Sequence, residues 1–519
     1  MSASTERKNR QAAREAGTDK KMLAQQEAEK KAARSRRRWT VGTILTVILL
    51  AVIILLNTGF IYTNSTAATV GTRKVSPAEL QYYYVNEYSN FLSQYGSYAS
   101  LFGLDTSMGV AGLADQPCTM MEEGKTWRDY FLDNAMSSLK QVVALTDYAK
   151  ANGIALDESD LAAIDEDLAA AEQTAKANGF ANLNRFFTVQ YGEGVNAKLV
   201  RSQLEDTTLA SKALDQYRNS LSYTDAELEE YYSSLDGTSD LFDYAYYRVA
   251  AEQLPVEGGE EGQTAVTDET RLEARMTAEA IETAYRDGKD ISDSVERLNA
   301  AIEAEFDTDE ATVRSAVSGG SLGDMSEWLR DSARKAGDLS VIEDSSGEGY
   351  YVVLFLARDD NHYPTVSVRH ILIMAEASQD GTYSDEAKQA ALAKINEIKA
   401  EYESGDKTEE SFAALAEKYS EDGGSNTSGG LYEGIYKGQM VSEFNDFCFA
   451  PHKAGDIGVV YGESSGYAGY HLIYFVGEGE PYSSLIARSA LSSEAMNDFL
   501  AAQTESLTAE LGRRANLVK

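Results

Sequence analysis

Two histidines and one aspartate are the residues whose types and positions in the sequence could form one chemically active site. His370 and His471 are half of the 4 histidines, and each lies in a run of residues typical of a β-strand. A histidine in an apolar strand is most often a hydrogen-bonded core residue. Two such imidazoles can instead form a relay that fixes their tautomers and orients a third polar group. Asp422, in an acidic run after a helix predicted at 412–419, is the candidate third group, although alone that run would be a solvated helix end.

These residues lie in the second of two similar segments. A β-rich run, a helix, a Gly-Gly pair, a Lys-Ala-Gly-Asp turn and another β-rich run recur in the same order, at offsets between 110 and 124 residues. The chain therefore contains two copies of one α+β domain, predicted at 240–358 and 366–478. In the first copy, Tyr246 and Tyr351 stand at the positions of the two histidines. Histidines that are absent from a copy with the same scaffold favour a functional role over a structural one.

Composition excludes several classes of function. The 519 residues include 47 Lys and Arg against 83 Asp and Glu, a net charge of −36, and general nucleic-acid binding needs a basic face. The 2 cysteines, Cys118 and Cys448, are too far apart in the sequence for a CxxC metal or redox site, and they are too few for a disulfide scaffold. Since only 4 histidines are present, a His-rich metal centre is disfavoured. Composition therefore predicts no metal centre and no nucleic-acid partner.

The charge is divided unevenly along the chain. Residues 1–38 carry 12 basic and 5 acidic residues, a net of +7, whereas the remaining chain has a net of −43. No charged residue occurs within 39–72, and the apolar run at 39–62 reaches the roughly 20 residues that a membrane-spanning helix needs. The positive-inside rule then predicts a cytoplasmic leader at 1–38 and a large extracytoplasmic part after a single anchor. The alternative is a cleaved signal peptide, with a cleavage site among the small residues at 65–68.

Between the apolar run and the repeat, the pattern is helical. A helix begins at 76–79, with Ser as the N-cap and Pro in the first turn. Apolar residues at helical spacing predict further helices at 127–152 and 157–179. We therefore predict an α-helical domain at 75–235, whose aromatic stripes form its core, and a helical tail at 482–519. The predicted fold class is α+β with a single N-terminal transmembrane helix.

Five motifs of the second copy occur in a characteristic order. They are VRHIL at 368–372, YSED at 419–422, GGL at 429–431, GQMVSEF at 438–444 and GYHLI at 469–473. Together they resemble the parvulin-type (PpiC-like) peptidyl-prolyl cis-trans isomerases over 366–478. The layout of the whole chain resembles the membrane-anchored extracytoplasmic foldases of the PrsA, SurA and PpiD kind. This resemblance implies a degenerate parvulin domain at 240–358 and a chaperone part formed by 75–235 together with 482–519.

The resemblance also implies roles for individual residues. His370 and His471 match the paired histidines of the family, and Asp422 matches the Asp or Cys at the centre of its site. Three apolar residues match the pocket that receives the proline ring: Leu431, Met440 and Phe444. The family often has a Ser or Thr shortly before the second histidine, and Ser465 is the residue that this sequence offers there. Because the central position is Asp and not Cys, covalent attack is disfavoured.

The function implied by the resemblance is that of a membrane-anchored extracytoplasmic isomerase and chaperone. Its partners are then unfolded or newly exported polypeptides with X-Pro bonds, and the cytoplasmic membrane. A non-catalytic holdase for secreted proteins is the main alternative, whereas an adhesin or surface scaffold would not require the five motifs. The first copy is expected to be catalytically silent. Either it binds clients through an apolar groove near Trp328 and Leu329, or it is a spacer without a ligand.

Overall fold

The structure, a computed structural model, describes most of the chain. It covers residues 3–17, 20–57, 59–256, 258, 262–378, 380–464 and 466–519. Within these ranges, the side chains of 20–23, 25–27, 29, 33 and 51–57 are outside the description. The chain divides into two compact units, the first formed by Met1–Leu221 with Ala495–Lys519 and the second by Ser222–Glu494.

Helices and strands of the described residues are numbered in chain order. The α-helices are α1 (Ala3–Glu15), α2 (Lys20–Asn57), α3 (Phe60–Asn64), α4 (Pro77–Tyr95), α5 (Trp127–Ala151), α6 (Glu158–Ala177), α7 (Leu183–Tyr191), α8 (Ala197–Ser220), α9 (Asp225–Ser234), α10 (Asp268–Asp287), α11 (Ser294–Glu303), α12 (Ser326–Arg330), α13 (Asp385–Ser404), α14 (Glu409–Tyr419), α15 (Ser442–Phe449) and α16 (Tyr482–Glu505). The strands are β1 (Ala68–Val70), β2 (Arg73–Val75), β3 (Leu241–Ala250), β4 (Gln253–Pro255), β5 (Thr264–Val266), β6 (Thr312–Ser318), β7 (Leu339–Glu343), β8 (Gly349–Asp359), β9 (Pro364–Met374), β10 (Leu431–Ile435), β11 (Ile457–Ser464), β12 (Tyr467–Pro481) and β13 (Ala509–Leu511).

The predicted membrane anchor at 39–62 falls on α2 and α3. Among the residues that the structure describes, no helix meets the length and apolar character needed to cross a membrane. Part of the predicted anchor, 51–58, lies outside the residues whose side chains are described. The anchor is therefore an expectation from the sequence.

Aromatic residues of α4 and α5 form the centre of the first unit. Ser76 caps α4, because its hydroxyl accepts a hydrogen bond from the backbone N–H three residues later, as the sequence predicted. Phe91 of α4 packs against Trp127 and Phe131 of α5, with ring centroids 5.3 and 5.5 Å apart. Both α5 rings are fully buried. These aromatic stripes are therefore core, in agreement with the prediction.

The C-terminal segment differs from the helical tail predicted at 482–519. Its helix, α16, ends at Glu505, and β13 then pairs antiparallel with β1, which also pairs with β2. Gln81 of α4 bonds both backbone groups of Lys519, accepting from its N–H over 2.7 Å and donating to its C=O over 2.6 Å. The last residues are thus held by strand pairing and side-chain contacts from the opposite end of the sequence, which a local helical pattern does not contain.

Helix α9 also differs from the prediction, which included it in a helical domain at 75–235. It belongs to the second unit, which begins at Ser222. Leu228 and Tyr232 of α9 are buried and pack with Ala487 of α16. Long-range packing of these apolar side chains, rather than helical pattern, determines the unit to which α9 belongs.

The second unit contains two four-stranded antiparallel sheets with the same strand order. The first sheet has the order β6-β3-β8-β7 and the second has the order β10-β9-β12-β11. Tyr246 of β3 and His370 of β9 occupy the same register position, and so do Tyr351 of β8 and His471 of β12. The pairing therefore agrees with the sequence repeat and with the replacement of both histidines in the first copy.

Helices cover both faces of the second sheet. Helices α13 and α14 pack on one face, and α15 packs on the other against a cluster that includes Val368 of β9 and Ile473 of β12. Because alternate side chains of a strand point to the same face, His370 and His471 lie on the α15 face with these two residues. The sheet thereby places both imidazoles beside Phe444 of α15.

Candidate active site

His370 and His471 lie on the two central strands, diagonal to each other in the register. Their Nδ1 atoms are 3.1 Å apart, and the rings are stacked with centroids 5.3 Å apart. On its other side, His370 Nε2 lies 2.9 Å from the carboxylate of Asp422. Both histidines are buried, whereas the Asp422 side chain is 21% exposed. The structure thus brings the three predicted residues together in one hydrogen-bonded chain.

The surroundings of these three side chains determine which of their atoms carry protons. Burial lowers the pKa of His471 to about 4, so its imidazole is neutral at pH 7 and carries one N–H. The hydrogen bond from His370 holds the pKa of Asp422 well below its usual range, so Asp422 is a carboxylate. His370 therefore donates to Asp422 through Nε2–H. When His370 carries a proton on Nε2 alone, His471 Nδ1–H donates to His370 Nδ1, which leaves His471 Nε2 as an acceptor.

Tyr467 supplies the donor for that acceptor. Its phenol oxygen lies 3.1 Å from His471 Nε2. Burial and the neighbouring carboxylates of Glu443 and Asp422 raise the pKa of Tyr467, so the phenol keeps its proton and donates it. In this protonation state the donors run from Tyr467 through His471 and His370 to Asp422.

Gly462 makes room for the contact between Tyr467 and His471. These side chains are four residues apart on β12, so both point to the same face, with Gly469 between them. Gly469 pairs across the hairpin with Gly462 of β11. A Cβ atom on Gly462 would lie 2.8 Å from the Tyr467 hydroxyl and 3.0 Å from His471 Nε2. A side chain at position 462 would therefore displace the phenol from the imidazole.

Asp422 is oriented by the loop that follows α14. The hydroxyl groups of Ser425 and Tyr432 donate to Asp422 Oδ2 over 2.5 and 3.1 Å, and the Gly424 N–H donates to Oδ1 over 3.2 Å. Together with His370, these groups give the carboxylate four donors. Since its oxygens already accept hydrogen bonds from the protein, Asp422 is held as an oriented anion rather than as a free nucleophile.

The Gly-Gly pair allows the same loop to touch β9. Gly430 has a φ of +71°, and a Cβ atom there would lie 2.2 Å from the carbonyl oxygen of His370. The His370 N–H donates to the Gly430 carbonyl over 2.8 Å. Only glycine fits this position, because the conformation is left-handed and the two backbones are in contact. The contact fixes the backbone of the residue whose ring forms the centre of the site.

A pocket of about 440 Å³ opens beside the hydrogen-bonded chain. His370, Asp422 and His471 line it together with apolar side chains, namely Leu372, Met374, Met440, Val441 and Phe444. The Phe444 ring lies edge-on to both imidazoles, with centroids 5.4 Å from His370 and 5.2 Å from His471. Two of the three predicted apolar residues, Met440 and Phe444, therefore stand at the pocket.

The third predicted apolar residue, Leu431, is not among the residues that line the pocket. On β10, Leu431 pairs with Arg369 and Tyr432 pairs with Val368, which belongs to the α15 face. Tyr432 therefore shares the face of the site, and its ring centroid lies 5.3 Å from that of His370. The prediction is corrected from Leu431 to Tyr432, because a shift of one residue along a strand reverses the face.

Three polar residues of the site were not predicted from the sequence: Ser425, Tyr432 and Tyr467. Local spacing contained a signal for two of them. Ser425 follows Asp422 by three residues, a distance at which a hydroxyl reaches back to an Asp side chain. Tyr467 precedes His471 by four residues on one strand, a spacing that places both on one face. The hydroxyl partner predicted for His471, Ser465, lies outside the described residues.

Cys448 is not a reactive group of this site. Cys448 is 1% exposed, and burial raises the pKa of its thiol to about 12, so it is a core residue rather than a nucleophile. Among the residues that the structure describes, no group of three or more His, Cys, Asp or Glu side chains is arranged to hold a metal ion.

In the first sheet, phenol rings stand at the positions of the imidazoles. The ring centroids of Tyr246 and Tyr351 are 5.9 Å apart. Both pack in a cluster on the α12 face that includes Phe242 and the fully buried Leu329, while Trp328 is partly buried there. Apolar and aromatic side chains thus pack on the face that carries the hydrogen-bonded chain in the second sheet.

Residues 350–477 match the family model described as a PPIC-type PPIASE domain. The match covers the five motifs and all residues of the hydrogen-bonded chain. The protein therefore contains a parvulin-type peptidyl-prolyl isomerase domain.

Two curated relatives place this domain in a wider context. The chain is 27% identical over 317 residues to the Chaperone SurA of Chromohalobacter salexigens, which is 58% of this chain and 63% of the relative. It is 35% identical over 114 residues to Foldase protein PrsA 3 of Bacillus anthracis, which is 22% of this chain and 32% of the relative. The chain is thus a distant homologue of the SurA and PrsA foldases and spans less than two thirds of the length of either relative.

The foldase protein PrsA from Streptococcus pneumoniae is a similar solved structure. It is 10% identical and aligns with 74% of this chain and 92% of its own, at a TM-score of 0.25.

Proposed function

We propose that this protein is a peptidyl-prolyl cis-trans isomerase and chaperone that is anchored in the cytoplasmic membrane and assists the folding of exported proteins. The observation that carries the catalytic part is the hydrogen-bonded chain of His471, His370 and Asp422 beside an apolar pocket. In this proposal these three residues are catalytic, and Met440 and Phe444 bind the proline ring. Tyr432 takes the place first assigned to Leu431.

The reaction is rotation about the C–N bond that precedes proline. Amide resonance opposes it with a barrier of about 18–20 kcal/mol. The twisted transition state has lost this resonance and, with it, part of the charge separation between the carbonyl oxygen and the nitrogen. A pocket with apolar walls therefore favours the twisted state over both planar isomers, which is the condition for catalysis. No bond to carbon forms or breaks, so the proposal includes no cofactor.

The polar and apolar walls have different roles in this proposal. Met440 and Phe444 hold the ring, while the carbonyl side of the bond rotates next to the imidazoles. Because His471 is neutral, it adds no charge beside the amide. The anion of Asp422 orients His370 and holds its tautomer. The two carboxylate oxygens remain bonded to protein donors throughout, so the mechanism is non-covalent.

The test is the rate of cis-trans exchange in a proline-containing tetrapeptide, measured by NMR exchange spectroscopy with the full chain. Asp422→Ala is expected to lose most of the catalysed rate, because His370 loses its acceptor. Asp446→Ala is the matched control, since it removes an exposed carboxylate of α15 that does not line the pocket. Wild-type rates for Asp422→Ala and for both single His→Ala variants would refute the catalytic assignment.

A second candidate function is the holding of unfolded chains without catalysis. It is favoured by the first unit, where large apolar side chains in and after α4 are between 44% and 79% exposed, namely Tyr95, Tyr98, Leu101, Met108 and Met120. Exposed apolar surface of this kind suits binding of apolar segments. Suppression of the aggregation of a denatured protein by Asp422→Ala, at the wild-type level, would separate holding from catalysis.

The division into domains is part of the proposal. The parvulin domain at 366–478 follows a degenerate copy at 240–358, and the helical part at 75–235 combines with the segment 482–519 as a chaperone part. The units of the structure differ from this division in two respects, because α9 and residues 482–494 both belong to the second unit. We expect the degenerate copy to bind clients weakly or to act as a spacer.

The proposed membrane anchor and location rest on the sequence. The uncharged segment 39–72 follows a leader with a net charge of +7, which favours a cytoplasmic N-terminus and an extracytoplasmic domain. External protease on intact cells should therefore digest the part after residue 70 and spare the leader. Protection of that part would refute this location. A mature N-terminus near Thr69 would instead identify a cleaved signal peptide.

A further inference from the structure

The charged side chains that line the pocket have one sign. Among the described residues around it, these are Glu421 and Asp422, and the lining contains no Lys or Arg. The two carboxylates are adjacent in the loop after α14. The rest of the wall is formed by apolar side chains, Gln439, two tyrosines and the two histidines. A peptide that enters this pocket therefore meets negative charge next to apolar surface.

Glu421 is fixed at the pocket by the end of β9. Its backbone N–H donates to the Leu372 carbonyl over 2.9 Å, and its carboxylate accepts the Met374 N–H over 2.7 Å. Both partners also line the pocket. The carboxylate is therefore held in place by a neutral backbone donor.

Cations of the neighbouring elements are engaged elsewhere. Arg369 points to the other face of β9 and pairs with Glu409, with Nε and Oε1 2.9 Å apart. Lys388 of α13 pairs with Glu463 of β11 at 3.0 Å. Neither of these cations lines the pocket. Their charges are offset by their own partners, so they do not neutralise the pocket.

Three of the groups that bind Asp422 carry no charge. They are the hydroxyl groups of Ser425 and Tyr432 and the backbone N–H of Gly424. Tyr467, which also lines the pocket, has a raised pKa, caused first by burial and then by the carboxylates of Glu443 and Asp422. The contribution of the carboxylates has the sign expected for negative charge near the phenol.

We propose that the pocket selects X-Pro segments by charge, favouring a cationic residue next to the proline and disfavouring an acidic or phosphorylated one. The inference rests on the proposed isomerase function and adds the class of substrate. Carboxylates in a cleft with walls of low dielectric attract a cation and repel an anion several Å away. A phosphoryl group, with a charge of about −1.5 to −2, is repelled most strongly.

The test compares four tetrapeptides Ala-Xaa-Pro-Phe, in which Xaa is Lys, Leu, Glu or phosphoserine. Exchange rates are measured by NMR with the full chain, which avoids a coupling protease that would cleave after Lys. We expect kcat/KM to be about tenfold higher for the Lys peptide than for the Glu peptide at low ionic strength. The phosphoserine peptide should be slowest. The differences should shrink as salt is raised towards about 1 M, because salt screens exposed charges.

The charge is then removed from the wall. Glu421→Gln keeps an oxygen that accepts the Met374 N–H, and we expect it to lower the ratio of Lys to Glu turnover about threefold. Glu397→Gln is the matched control, because it removes a 71% exposed carboxylate from α13, outside the pocket lining. It should leave the ratio unchanged.

The outcomes separate this inference from the proposed function. Equal turnover of the Lys and Glu peptides would overturn the inference and leave the isomerase function standing. The same holds for a ratio that Glu421→Gln does not change. Absence of catalysed exchange in all four peptides would overturn the isomerase function and the inference with it.

Discussion

Replacing Tyr467 by Phe removes one hydroxyl group from the candidate site and keeps the ring. That hydroxyl lies 3.1 Å from His471 Nε2, and His471 is 5% exposed. The substitution therefore leaves a buried acceptor without its donor. Because the donor holds the proton of His471 on Nδ1, we expect this proton to redistribute between the two ring nitrogens, which weakens the bond to His370.

The size of the effect follows from the burial of the acceptor. A buried polar group without its partner costs about 1–3 kcal/mol. At about 1.36 kcal/mol for each factor of ten, a loss that falls entirely on the transition state lowers kcat about 5- to 150-fold. Any part of this cost that is already present in the folded enzyme before the reaction lowers the free energy of unfolding instead of kcat. Both quantities must therefore be measured on the same variant.

The assay combines NMR exchange rates on a proline peptide, urea unfolding, and ¹⁵N shifts of the histidine rings, which report the tautomer. Gly462→Ala is a second perturbation, because its Cβ would lie 2.8 Å from the Tyr467 hydroxyl and push the phenol away without removing it. Tyr461→Phe is the matched control. It removes a phenol from the neighbouring strand whose hydroxyl donates to Glu463.

The expected result is a lower kcat and a changed His471 tautomer in Tyr467→Phe and Gly462→Ala, with Tyr461→Phe unchanged in both. A Tyr467→Phe variant with the wild-type tautomer and wild-type kcat would refute the order of donors from Tyr467 to Asp422. A loss of stability without any loss of kcat would show that Tyr467 has only a structural role.

Three further predictions concern the same domain. Phe444→Ala should raise KM more than it lowers kcat and should cost about 3–5 kcal/mol of stability, since Phe444 is 2% exposed; peptide titrations and urea unfolding measure the two effects. The pKa of His471 is about 4 in the folded protein and 6.5 in an unfolded chain, so the unfolded chain takes up a proton at a higher pH than the folded one. The stability due to this group should therefore be complete above pH 6.5 and decline by up to about 3 kcal/mol as the pH falls towards 4, a loss that urea unfolding should show in the wild type and not in His471→Phe. The double variant His370→Ala, Asp422→Ala of the full chain should show no catalysed exchange, and substantial residual turnover would contradict the silence of the first copy.

The sequence alone contained the chemistry of the site and the plan of the second unit. His370, His471 and Asp422 were recognisable because two histidines in β-type segments were missing from a related segment of the same chain. The repeat predicted two related α+β domains, and the structure has two sheets with one strand order. The cap at Ser76 was also readable, because capping depends on residues within one turn. Each of these features can be recognised from neighbouring residues alone or by comparing two short segments of the sequence.

Only the tertiary structure decided which neighbours complete the site and the units. The choice of Tyr432 over Leu431 depends on the register of β10 against β9, and a shift of one residue inverts it. The contact between Tyr467 and His471 has room because Gly462, on the neighbouring strand of the hairpin, has no side chain. The pairing of β13 with β1 joins residues 509–511 to residues 68–70. These features arise from contacts between residues distant in the sequence, and one sequence does not show which distant residues meet.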